Sequence, residues 1–141
     1  MGYKNPIQDI TTEWFNLLDG VISVPVYKET VLPNENGNYV VIRAEGQTTT
    51  KNHSGFFTNA VIIVEVVTKF NQAVDTSICD DIDNEITELV FPTPNTFGIG
   101  NTTNHQITDI NLQSASYLSE DDGTKKYYTK ISRYEHSINQ N

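Results

Sequence analysis

The sequence predicts an α+β domain: a mostly antiparallel sheet of four to five strands with two helices packed on one face, in the order α-β-β-β-α-β-β. Three observations predict it. Residues 5–20 and 71–90 repeat apolar residues at helical spacing. Five other stretches alternate with a period of two or run apolar without a break, and residues 56–70 form the longest. Short turns containing Gly, Asn or Asp join the last two pairs of long stretches, as antiparallel neighbours require.

The first helix is residues 5–20, NPIQDITTEWFNLLDG. Asn5 is a good cap, Pro6 suits the first helical position where a missing N–H costs nothing, and Gly20 is placed to end the helix. Ile7, Ile10, Trp14, Leu17 and Leu18 fall on one stripe, which predicts a core-facing side. Residues 21–27, VISVPVY, read as a short strand, and Pro25, lacking a donor, fits an edge. The loop 28–38 ends in PNENGN. In residues 39–50, YVVIRAEGQTTT, the side chains Val40, Ile42 and Ala44 alternate toward the core. The connector 51–55, KNHSG, predicts a hairpin whose Thr-, Asn- and Ser-rich tip projects as an arm.

Residues 56–70, FFTNAVIIVEVVTKF, have two apolar faces. One carries Phe56, Ala60, Ile62, Val64, Val66 and Phe70; the other carries Phe57, Val61, Ile63 and Val67, mixed with Asn59, Glu65 and Lys69. An antiparallel sheet in a small domain buries one face and wets the other, so the second face calls for a cover. In residues 71–90 the core positions are Val74, Ile78, Ile82, Ile86 and Leu89, while Asp80, Asp81, Asp83, Glu85 and Glu88 mostly line the solvent face. Residues 91–105 are loop-like; residues 107–117 and 125–136 form a final hairpin around Asp122–Gly123. One domain spans 1–141, and the polar tail 137–141 is expected to fray.

The composition narrows function. The net charge is −9, from 18 acidic and 9 basic residues, and the only basic cluster is Lys125–Lys126. Nucleic-acid binding needs clustered Lys and Arg, so phosphate recognition is not expected as the main task. A single cysteine, Cys79, rules out an intrachain disulfide and a Cys-based metal centre. No basic-then-apolar leader follows Met1, and no apolar run reaches membrane-spanning length, so a soluble protein made in a reducing cytoplasm, without membrane contact, is expected.

No catalytic, metal or cofactor site is expected. His53, His105 and His136 lie in separate segments with no second ligand at ligand spacing. The acidic residues of 75–88 have the pattern of a solvated helix face, which outweighs their reading as Mg²⁺ ligands. FGIG at 97–100 precedes no helix pattern, and EDDG at 120–123 lacks alternating calcium ligands. No Ser, Cys or Thr sits in a nucleophile signature.

In the order of its elements the chain resembles the tail terminator, or tail completion, proteins of long-tailed bacteriophages. The likeness runs through the initial helix, the strand VPVYKE at 24–29, and NYVVI at 38–42, which is similar to the family's Pro-Tyr-Val-Val-Ile run. A polar hairpin tip, FFTNAVIIVEVV, a helix bearing Asp81 and Ile82, and a closing hairpin complete it. The Asn- and Thr-rich stretch 93–105 and the absence of Pro before Tyr39 depart from the pattern.

The resemblance implies a virion protein of the tail or neck, assembled in the bacterial host cytoplasm. It implies a homohexameric ring at the head-proximal end of the tail tube, with the tube protein and a head-side connector as partners, no catalytic residues and no cofactor. The residues alone agree with obligate assembly, since a two-sided apolar strand wants a neighbour. The candidate interface is Val41, Val61, Ile63 and Val67 facing the next subunit, with an arm carrying Gln47, Thr49, His53, Phe56 and Phe57 reaching across it. Residues 91–106 of the same chain are the alternative cover. If the ring encloses DNA that passes without specific binding, Asp80, Asp81, Glu85, Asp121 and Asp122 are candidates for an acidic lumen that repels the duplex. A different neck or tube protein, or a binding module that masks a partner's strand edge, shares the same features.

Overall fold

A computed structural model describes residues 2–141. Helix α1 spans Ile7–Leu18, strand β1 Val26–Lys28, β2 Tyr39–Asn52, β3 Gly55–Phe70, helix α2 Thr76–Val90, β4 His105–Asp121 and β5 Lys126–Gln140. The strands form one sheet in the order β1-β2-β3-β5-β4. Only β1 pairs in parallel, with Val40–Ile42; every other pairing is antiparallel. The predicted fold class and element order are therefore those observed.

Local chemistry sets the boundaries, and several differ from the sequence reading. The Asn5 side chain accepts the Ile7 N–H (3.0 Å) and starts α1, while Pro6 holds the cap position. Gly20 takes a φ of 75° just beyond the helix, a conformation that favours glycine. The strand expected over 21–27 shrinks to three residues: the stretch before it turns, burying Ile22, and the Pro25 carbonyl accepts the Val40 N–H (3.0 Å). Helix α2 starts at Thr76 rather than 71 because Asp75 caps it, accepting the Ser77 N–H at 3.0 Å.

The long strands run further than their apolar residues indicate. Asn52 pairs with Gly55, so His53 and Ser54 alone make the arm's turn. The tail expected to fray is instead strand: 137–140 belong to β5, and the Asn141 N–H reaches the Asn104 carbonyl (2.8 Å).

Both helices pack on one face of the sheet. Ile10, Trp14 and Leu18 of α1 and Cys79, Ile82, Ile86 and Val90 of α2 close over Val40, Ile42, Ala60, Ile62, Val64, Val66, Tyr134 and Ile138. The loop 91–105 joins them on that side. Ile99 enters the core, Phe91 lies against Tyr134 (6.1 Å between rings), and the Gly98 N–H donates to the Val90 carbonyl at 2.8 Å. A Cβ on Gly98 would stand 1.9 Å from the Leu89 carbonyl oxygen, so only glycine permits this approach. His105 pins the loop's end, its Nδ1 3.0 Å from Asp9 and its Nε2 2.9 Å from the Lys4 carbonyl. The alternative in which 91–106 covers the second face of β3 is thus overturned, because the segment is engaged with the helices.

One polar group sits at the centre of the core. His136 is fully buried, its Nε2 accepts the Trp14 indole N–H at 2.8 Å, and its Nδ1 faces the carbonyls of Ala60 (3.3 Å) and Tyr134 (3.2 Å). A neutral imidazole with the proton on Nδ1 satisfies this arrangement; a cation would turn a second donor against the indole. Burial lowers its pKa from 6.5 to about 4. Between those values the unfolded chain binds a proton that the folded chain refuses, so stability is full above the upper value and falls on acidification. The loss expected across this window is on the order of 3 kcal/mol. Thermal unfolding followed from pH 7 to pH 4.5 should show it, and His136→Gln should flatten the slope while lowering the melting temperature at neutral pH.

Candidate functional site

The face of the sheet opposite the helices is the candidate site. Register places Tyr39, Val41 and Arg43 of β2 there, with Phe57, Val61, Ile63, Glu65 and Val67 of β3, Ile131 and Arg133 of β5, and Leu118 of β4. Both helices lie on the other side, and the loop 28–38 reaches only the corner of this face at Tyr27 and Lys69. The face is shielded instead by its own long side chains. Arg43 pairs with Glu65 (3.1 Å), Arg133 with Glu45 (3.0 Å), and the Lys69 ammonium lies 5.2 Å from the centre of the Tyr39 ring. Tyr27 donates to Glu35, whose backbone carbonyl accepts the Lys69 ammonium at 2.8 Å.

This shielding divides the expected interface residues. Val41, flanked across the ladder by Tyr27 and Glu65, is fully buried, and Val67 nearly so. Phe57, Val61 and Ile63 stay half-exposed. A shallow hollow of about 300 Å³ opens toward the other end of the face, lined by Tyr39, Glu65, Val67, Leu118, Tyr127 and Ile131 among others.

The arm residues divide too. Gln47, Thr49 and Phe56 point to the helix side, where the chain's own Tyr3 occupies them. Gln47 Nε2 donates to the Tyr3 hydroxyl (3.0 Å), Thr49 Oγ1 lies 3.1 Å from it, and the Phe56 and Tyr3 rings are 5.4 Å apart. His53 stands exposed at the turn.

The acidic candidates do not converge. Asp80 and Asp81 are exposed on α2, and Asp80 accepts the Tyr117 hydroxyl (3.1 Å). Glu85 is engaged by the Ser23 N–H (3.1 Å) and hydroxyl (2.6 Å). Asp121 and Asp122 build the final turn; the Lys125 and Thr124 N–H groups hold the Asp122 carboxyl well below the usual carboxylate range.

Asp83 was expected with the solvated acids, but the structure turns it inward. It is 5% exposed and meets Lys130 at 2.7 Å, beneath α2. Burial alone would lower the Lys130 pKa; the bond to Asp83, with Tyr117 alongside, outweighs it and leaves the pKa above its ordinary value. The sequence carries a signal for this pair: Asp83 falls within the stripe Cys79, Ile82, Ile86, and Lys130 alternates with Tyr128, Ser132 and Tyr134 on the inward face. Asp83 Oδ1 and the Tyr134 hydroxyl lack partners.

Elsewhere, a polar groove of about 550 Å³ runs between α1 and residues 101–104, lined by Asp9, Glu13, Asn101 and Thr102 among others. Among the described residues no helix is long and apolar enough to cross a membrane.

No protein-family model matches the sequence, and no curated protein matches it. The architecture does match that of a solved structure. A chain in the virion of a native gene transfer agent particle superposes with a TM-score of 0.67 at 11% identity, over 95% of this chain and 99% of that one. Coverage of both chains end to end means that the whole fold is shared.

The buried ion pair yields a prediction. Lys130→Met leaves Asp83 charged and unpaired in the core, and urea unfolding should register a loss of about 3–5 kcal/mol. Adding Asp83→Leu should restore most of it.

Proposed function

We propose that this chain is a structural protein of a phage-like virion, a tail terminator that closes a ring, a hexamer, at the head-proximal end of a tail tube. There it ends tube polymerisation and joins the tail to the head-side connector. The observation that carries this reading is the end-to-end likeness to a chain of a gene transfer agent virion. The open sheet face adds to it: a domain with helices on one side only, and Phe57, Val61 and Ile63 half-exposed on the other, has surface to give to assembly.

In this reading the open face around Val61 and Ile63, together with the arm ending at His53, meets the next subunit. The contact is heterologous, one patch against a different patch, and so closes into a ring. The tube protein and the connector bind the two rims. DNA passes through the lumen without specific binding. A chain of net charge −9 lets the duplex slide rather than stick, with Asp80, Asp81, Asp121 and Asp122 free to contribute to that field. The protein then resides in the tail or neck of the virion, after assembly in the host cytoplasm.

Ile63→Asp tests the subunit contact. A carboxylate there lies between Arg43 and Arg133, so the monomer keeps its fold, and it puts a charge where the contact needs apolar surface, so assembly is lost. Sedimentation at micromolar concentration should show a ring for the wild type and a folded monomer for the variant. A variant that assembles as the wild type does would remove this face from the subunit contact.

A further inference from the structure

The sheet has two free edges, and each keeps an unpaired run, despite bulges at Ile107/Asp109 and Leu112/Ser114 in β4 and at Ala44/Gly46 in β2, and Lys51 near the tip of β2. β4 is the outer strand along its whole length. Residues 110–119, INLQSASYLS, contain no charge, no proline and no glycine, although 19% of the chain is charged. Every residue from Asn111 to Asp121 is exposed. Leu112, Tyr117 and Leu118 are 42%, 49% and 45% exposed, three of the few large apolar side chains in water. From Ser114 to Asp121 the pairing with β5 runs without a bulge, so the outer row of N–H and C=O groups forms an unbroken template. Outer strands that must stay single carry lysines, prolines or bulges against this hazard.

The opposite edge is bare over a complementary length. β1 covers β2 only at Val40–Ile42, and the Glu29 side chain takes the next outward donor, the Ala44 N–H, at 3.3 Å. Beyond that, residues 46–52, GQTTTKN, pair with β3 on one side and with no strand on the other.

We propose that residues 110–119 of one copy pair edge to edge, antiparallel, with residues 46–52 of a second copy, continuing the sheet from subunit to subunit. The inference rests on the ring reading above and adds to its open-face contact a second one, between strand edges. Its occupant is a strand because the unmet groups are backbone donors and acceptors in ladder order. It is a second copy because each subunit presents one such edge on each side of one sheet, and a patch that meets a different patch repeats head to tail. The direction follows from the fold. Three successive antiparallel pairings separate β2 from β4, so the two run oppositely. Rotation about an axis along the strands preserves that sense, and β4 meets the neighbour's β2 antiparallel.

Hydrogen–deuterium exchange on the unmodified protein, assembled and diluted to monomer, tests the contact. Amides within 110–119 and 46–52 should exchange at least about tenfold more slowly in the assembly, both segments changing together. Ser114→Lys with Ser116→Lys should keep the monomer's melting temperature and weaken assembly by at least about tenfold, because charge on an edge opposes pairing. A ring whose β4 amides exchange as fast as the monomer's would overturn the edge contact and leave the terminator reading standing. A protein that stays monomeric at every concentration would overturn both.

Discussion

The structure depends on a single constraint: β3 is paired on both sides along nearly its whole length and is apolar on both faces, but helices cover only one of them. Thirteen register pairs tie it to β2 and fourteen to β5, so its alternation is locked and each side chain has a fixed face. Ala60, Ile62, Val64 and Val66 are committed to the core under α1 and α2. Phe57, Val61, Ile63 and Val67 are committed to the other side with equal firmness. The remaining elements arrange themselves around that division. The loop 91–105 is drawn to the helix side by Ile99 and by the close approach at Gly98, and the open face is left with ion pairs in place of a second layer.

Those ion pairs explain how such a face stays in water. Arg43, Glu65, Arg133 and Glu45 lay their stems over β-branched neighbours and keep their charges at the surface. The cover is partial, and it leaves the arm root around Phe57 and Val61 as the apolar remainder. On the helix side the arm is clasped by Tyr3, so the hairpin enters any assembly already braced against its own domain. A braced arm loses less conformational freedom on binding than a loose one.

Much of this was legible in the sequence, and the failures share a cause. The stripes Ile10-Trp14-Leu18 and Ile82-Ile86 announced the helices, and Val40-Ile42 with Ile62-Val64-Val66 announced the buried face, because burial selects apolar residues at a fixed period. What stayed hidden is whatever pairing alone maintains. Residues 137–140 and 118–121, the ends of β5 and β4, are mostly polar, and they are strand because β5 bonds to its neighbours there, which leaves no hydrophobic trace. β1 is short because a parallel partner and the Pro25 carbonyl fix it, and sequence spacing carries no record of either. At the candidate site the open face was readable from Val61, Ile63 and Val67. The burial of Val41 by its neighbours and the capture of Gln47, Thr49 and Phe56 by Tyr3 were not, since both arise from contacts between distant segments.

The central claim is that this domain completes itself in a ring of its own copies. Electron microscopy of the purified protein in negative stain tests it most directly. The account predicts closed rings of six subunits around an open channel. A uniform field of single domains at high protein concentration would contradict it.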